Sequence, residues 1–231
     1  MDKYEIVKKI ENFAPPELAE KWDCSGWSVE TQNREINRVM LCLTVTDEII
    51  KQAKEKDCEM IVSHHPSFFV PLKWKDVDIY SAHTNLDRTH GGTTDTLIET
   101  IFPNTPAEIF EDGFTRGVDY EISLAELAKK LRQISPNLRY VNNNGMQILK
   151  KIAFCAGSGS EFIEEARKIG ADAFVTGDLK FHSALESHIV LFDIGHFESE
   201  ILVLSVFERL LEGVETVRAI ERSPLFIKIG S

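Results

Sequence analysis

No stretch of the 231 residues approaches the ~20 uninterrupted apolar residues that a membrane-spanning helix requires. The longest apolar segment, Ile201 to Leu211, is broken by Ser205, Glu208 and Arg209. The first residues set Asp2, Glu5 and Glu11 among the lysines and hold no apolar stretch of the signal-peptide kind, so no leader and no membrane association are expected. Cysteine is scarce. Cys24, Cys42, Cys58 and Cys155 are scattered with no CxxC pair, which argues against a thiolate zinc site and predicts buried free thiols in a reducing cytoplasm. Positive charge is short as well: 26 Lys and Arg face 37 Asp and Glu, a net charge of −11. Broad binding to nucleic acid or anionic membrane needs a Lys/Arg footprint that this balance does not supply.

What is present is a globular pattern, 43% apolar and 27% charged, long enough for one large domain or two small interlocked ones. Ile6, Val7, Ile10 and Phe13 share a helical face, and Pro15-Pro16 stops that helix. Residues 38–45 read as a buried strand, followed by a helix over 47–57 with Thr46 as its cap. Short strands at 60–62, 79–82, 152–156, 173–176 and 189–193 each run into a loop. Ser123 with Glu126 forms a capping box, Leu138 to Leu149 resembles a hairpin around Asn143-Asn144-Gly145, and a long final helix follows Gly195. Strand–helix alternation with short connections predicts an α/β architecture with a largely parallel sheet. The pattern divides the chain into an outer region, 1–120 with 200–231, and a middle region, 121–199.

The chemistry-bearing residues cluster at strand ends. His64-His65, His83 with Asp87, Asp178, and Asp193 with His196 all fall just beyond the C-terminal ends of predicted strands, the rim where open α/β sheets bind ligands. Adjacent histidines inside a strand point to opposite faces. Just past the strand, with Pro66 forcing an extended turn, each can reach a different ion of a pair ~3.5–4 Å apart. His196 and Glu200, four apart at a helix start, stack on one face, and a carboxylate can bridge two ions. Five or six N/O ligands from four segments exceed one tetrahedral zinc, so a dinuclear centre suits the count. The donor set accepts zinc, iron, manganese, cobalt or nickel.

Other features have two readings. Gly157-Ser158-Gly159-Ser160 is a Gly-rich turn, or an anion cradle. Lys180 and His182 lie on a solvated helix surface, or face the rim to bind phosphate or shuttle protons. Phe68, Phe69, Trp74 and Tyr80 pack in the core or a subunit contact, or wall a base-sized pocket.

SHHPSFF (63–69), AHTNLDRTHGG (82–92), TGDLKFHSAL (176–185) and DIGHFESE (193–200) closely resemble the signature segments of the NIF-three-like proteins, many of which are named GTP cyclohydrolase I type 2 homologues or dinuclear-metal hexameric proteins. WDCSGW (22–27) resembles that family's Trp-Asp-Asn-x-Gly motif, with Cys24 in place of Asn. The resemblance implies two interlinked α/β halves with mixed, largely parallel sheets layered with helices, no inserted third domain, and a toroidal homohexamer. It also implies two divalent ions per chain. By motif position, His64 and His65 would each bind one ion, Asp87 one of them and His196 the other, with Glu200 bridging both. His83 would be a ligand or a close neighbour of one, and Asp23, Asp178 and His182 would orient ligands.

Two functions follow. The first is a metal-dependent hydrolase acting on a nucleotide or related small molecule, GTP ring opening being the named activity, for which Arg88, Arg116 and Lys180 are the only nearby cations suited to a triphosphate. The alternative is a non-catalytic metal-binding hexameric assembly or regulatory protein.

Overall fold

The computed structural model describes residues 1–225. Helix α1 (Lys3–Phe13) is capped by Asp2, whose carboxylate accepts from the Tyr4 N–H, and buries Ile6, Val7 and Ile10. Strand β1 (Gly26–Val29) and the buried strand β2 (Arg38–Thr44) follow. Thr46 caps α2 (Asp47–Glu55), which buries Ile49, Ile50 and Ala53. Next come β3 (Met60–His65), β4 (Asp78–Ser81), α3 (Thr84–Arg88) and α4 (Thr93–Ile101). A two-residue strand β5 (Glu108–Ile109) precedes β6 (Arg116–Ser123), and the capping box of Ser123 and Glu126 opens α5 (Leu124–Ile134). The chain continues through β7 (Arg139–Val141), β8 (Ile148–Ser158), α6 (Ile163–Lys168), β9 (Ala173–Gly177), α7 (Phe181–Glu186), β10 (Val190–Asp193) and α8 (His196–Glu200). It closes with α9 (Leu204–Leu210) and β11 (Glu215–Arg218). Among the described residues no helix is long and apolar enough to cross a membrane.

Two compact units result. The first comprises Met1–Gly92 and Val203–Glu221; the second comprises Thr93–Leu202 and the described residues 222–225. The division therefore falls at 92/93, not at 120/121. No linker interrupts the chain near 120, because β6 spans that point and pairs with β8. Leu97, Ile98 and Ile101 of α4 belong to the second unit's core.

The first unit has one five-stranded sheet in the order β1-β4-β3-β2-β11, parallel except for β1. Met40, Cys42, Ile61 and Ile79 project from one face onto Ile49, Ile50 and Ala53 of α2. The second unit has a six-stranded mixed sheet in the order β5-β6-β8-β9-β10-β7, whose central strands β8, β9 and β10 are parallel. Strand alternation splits its side chains cleanly. Ile152, Phe154, Val175 and Phe192 meet α4 and α5 on one face, while Ala153, Cys155, Phe174 and Leu191 meet α6 on the other.

Four local expectations fail. His64 and His65 do not lie past the strand but are the last two residues of β3, because parallel pairing with β2 runs on to Thr44 opposite His65. Residues 138–149 do not form a hairpin: β7 pairs antiparallel with β10, because both edges of β8 are occupied by β6 and β9. Asn143 donates to the carbonyls of Ala184, Leu185 and Ser187, which carries the connecting turn away from a two-strand ribbon. The final helix is not continuous either; a 3-10 turn at Ile201–Val203 separates α8 from α9 as the chain passes from one unit to the other. Finally, Cys42, Cys58 and Cys155 are buried free thiols, but Cys24 is exposed.

Candidate metal centre

In the first unit, β3 lies between β2 and β4, all parallel, so their C-terminal ends share one rim. Register then sets the site: Thr44 stands opposite His65, and Ser63 opposite Ser81. His64 is fully buried, and its Nδ1–H donates to the Ala82 carbonyl at 3.0 Å. A carbonyl only accepts, so this contact places a proton on Nδ1 and turns Nε2 away from the strand. Nε2 faces Asp87 Oδ1 at 3.5 Å. A ring nitrogen opposite a carboxylate oxygen is an arrangement that a shared cation, a proton or a metal ion, stabilises. His65 Nδ1 and Thr44 Oγ1 share a hydrogen bond of 2.7 Å. Ring nitrogens of His64, His65 and His83 lie within 4.8 Å of one another.

His83, just beyond β4, is oriented by Asp23, with Nδ1–H donating to Oδ1 at 3.0 Å. Burial opposes the Asp23 charge, but hydrogen bonds from His83, Thr84 and Ser25 outweigh it and hold this carboxyl well below the usual carboxylate range. The backbone N–H of Cys24 also donates to Asp23, at 2.7 Å. Any residue other than proline at position 24 supplies that N–H, so this contact does not depend on the Cys24 side chain.

In the second unit, α8 begins at the end of β10, and His196 Nε2 sits 3.0 Å from Glu200 Oε2, one turn on. On its other side, His196 Nδ1 is 2.7 Å from Asp178 Oδ2. Glu200 is buried, and its carboxylate occupies the space left by the missing side chain of Gly157, where a Cβ would collide with Oε1. Gly157 adopts φ +70°, and its N–H donates to Ser199 Oγ at 2.9 Å. The Gly-rich turn thus makes room at Gly157 for the Glu200 carboxylate.

The hydrogen bond to Glu200, then its charge and the contact with Asp178, raise the His196 pKa to about 9 against the opposing effect of burial. Without metal, a proton holds the place of a cation between these carboxylates. A folded-state pKa raised from 6.5 to about 9 gives stability that is complete below 6.5 and is lost as pH rises through 9. Chelator-treated protein is therefore expected to lose about 1–2 kcal/mol between pH 6 and 9.5, a figure discounted for the partial exposure of the ring. Urea unfolding of wild type and His196→Gln at both pH values checks this; equal pH slopes would contradict it.

Other predicted residues fall elsewhere. His182 is exposed on α7, its ring edge-on to Phe181 at 5.3 Å, and Lys180 is exposed beside it. Arg116 is fully buried and paired with Asp95 at 2.9 Å, and Arg88 pairs with Glu20 at 2.9 Å. Asp193 pairs with Arg139 and accepts from the Gly195 N–H, a structural role. Trp74 and Tyr80 are core residues, whereas Phe68 and Phe69 are exposed. Pattern reading missed the Ala82 carbonyl and the Thr44 hydroxyl, which set the imidazole orientations; only strand register could have shown them.

The sequence profile of the Duf34/NIF3 (NGG1p interacting factor 3) family matches residues 1–224. The chain belongs to the Duf34/NIF3 family. It is 35% identical to a Clostridium perfringens protein named GTP cyclohydrolase 1 type 2 homolog, covering 92% of this chain and 94% of that one. It is 31% identical to NIF3-like protein 1 of Drosophila melanogaster over 78% of this chain and 70% of the relative. Among solved structures, reduced HcgD from Methanocaldococcus jannaschii superposes with a TM-score of 0.82 at 26% identity, covering 94% of this chain and 97% of HcgD. Protein ybgI, of unknown function, gives 0.86 at 20% identity over 97% and 100% of the two chains, a likeness of fold alone. This Duf34/NIF3 chain thus joins the family's fold to His/Glu groups that could hold a metal ion.

Proposed function

We propose that this protein is a dinuclear divalent-metal protein acting as a hydrolase on a nucleotide or related small molecule, with His64, His65, Asp87, His196 and Glu200 as the ligands. The observation that carries the reading is the orientation of His64, whose Nδ1–H is held by the Ala82 carbonyl and whose Nε2 faces Asp87 Oδ1 at 3.5 Å. The names of the relatives supply the substrate class. Imidazole and carboxylate donors suit zinc, iron, manganese, cobalt or nickel, and ions held there would supply Lewis acidity and a nucleophile at neutral pH. The chain's own part is orientation. Ala82 and Thr44 set the rings of His64 and His65, Asp178 and Gly157 position His196 and Glu200, and Asp23 holds His83 as a further ligand or a proton carrier. Asp178 is thereby an orienting residue; His182, exposed on α7, is the weaker proton carrier. A toroidal homohexamer in the cytoplasm completes the reading.

The placement of the cations favours a second reading. Arg116 is buried in an ion pair and Arg88 is engaged by Glu20, which leaves a triphosphate little positive charge. A non-catalytic metal-binding assembly needs none. Elemental analysis of wild type beside Glu200→Ala, with GTP turnover on the same metal-loaded samples, separates the outcomes. Loss of metal in the variant and GTP turnover in the wild type support the hydrolase. The same metal loss without turnover supports the assembly role, and equal metal content in both proteins overturns the ligand assignment.

A further inference from the structure

The helix that carries His196 and Glu200 has a second face. Residues 196 and 200 point one way, whereas 198 lies about half a turn round the helix. Glu198 is half-buried there and makes no hydrogen bond or ion pair with any described residue. Its carboxylate rests against Gly195, where a Cβ would collide with Oε2 and where φ is +83°, so the backbone is shaped to admit it. Two cavities of the second unit meet at this side chain. One, of about 480 Å³, is lined by Leu138, Arg139, Asp193, His196, Phe197 and Glu198 among others. The other, of about 380 Å³, shares Phe197 and Glu198 and extends toward Lys130 and Ile134.

The charges in the larger cavity limit what it can receive. Arg139 is committed to Asp193, so among the described residues lining the cavity Glu198 is the side chain whose charge has no partner. Phe197 offers an apolar ring beside it, and Leu138 another apolar surface. A carboxylate with two free oxygens next to an aromatic face is matched by a flat group bearing two adjacent N–H donors.

We propose that Glu198 is a specificity-determining residue that receives the paired N–H edge of a planar ligand seated between Phe197 and Leu138, with the far end of that ligand toward His196. The chemistry is that of a guanine base, with its ring N–H and exocyclic amine, or of an amidine or guanidinium group. The inference deepens the proposed function, because His196 lines the same cavity, and it rests on that reading only for the identity of the site as a substrate pocket.

The test is calorimetric titration of guanosine, inosine and benzamidine into wild type and Glu198→Gln, with metal content measured on the same samples and the titrations repeated after chelation. Inosine lacks the exocyclic amine, so guanosine is expected to bind at least about tenfold more tightly, and Glu198→Gln should erase the difference without lowering metal content. Benzamidine binding that depends on Glu198, without guanosine binding, would assign the donors to an amidine or guanidinium ligand. Failure of both to bind, or binding indifferent to Glu198→Gln, overturns the proposal. Absence of metal with intact, Glu198-dependent binding would instead overturn the metal reading and leave the pocket standing.

Discussion

With His83 as a further ligand, Asp23→Asn is expected to weaken divalent-metal binding about 10–100-fold, the usual effect of removing a group that orients a ligating histidine. Asp23 accepts from His83, Ser25, both the N–H and hydroxyl of Thr84, and the backbone of Cys24. An asparagine has one acceptor oxygen and an NH₂ that cannot accept, so at least one of these donors would face a donor. The carboxylate that accepts from His83 Nδ1–H and sets the ring's orientation would also be gone. Competition titration with a chromophoric zinc chelator reads the affinity. Unchanged affinity in a folded variant would exclude His83 as a metal ligand and leave it only the proton-carrier role.

Asp78→Ala is expected to cost about 3–5 kcal/mol of stability while leaving the metal affinity of the folded protein within about twofold. Asp78 and Lys3 are both buried and lie 3.3 Å apart. Asp78 also accepts from the N–H and hydroxyl of Thr31, and Lys3 donates to the Thr31 carbonyl at 2.7 Å. Removing the carboxylate strands an ammonium beside the ring of Trp27, with Glu30 at 3.7 Å as its remaining anion. Asp78 opens β4, whereas His83 follows its other end, so the loss should not reach the histidines. Urea unfolding measures the cost. A double variant, Lys3→Met with Asp78→Leu, should recover much of it, because a buried pair replaced by apolar groups is often neutral. A single variant costing under about 1 kcal/mol would show that the pair is solvated in solution.

The candidate ligand residues stood out because residue type and position agreed. His64, His65, His83 and His196 each stand just at or after a short apolar run, and apolar runs between turns are the strongest local signal of buried parallel strands. The capping box at Ser123 and the cap at Thr46 were legible for the same local reason. What pattern could not supply is whatever depends on pairing across the sheet. Strand β6 alternates weakly, with Asp119, Tyr120 and Glu121 exposed in succession around a register shift against β8, so its eight residues gave no clear period. The hairpin reading failed because β8 takes both its partners from distant segments. Arg116 looked like a substrate cation, but Asp95, 21 residues away in sequence, claims it. The role of Gly157 is visible only once Glu200 is folded against it.

Anomalous diffraction from crystals of the zinc-loaded protein tests the central claim most directly. Two peaks per chain are predicted, one bonded to Asp87 and the other to His196, with Glu200 on both and one histidine of the His64-His65 pair on each. No peak at these side chains in fully loaded crystals, or zinc held elsewhere on the surface, would contradict the dinuclear reading and with it the proposed hydrolase.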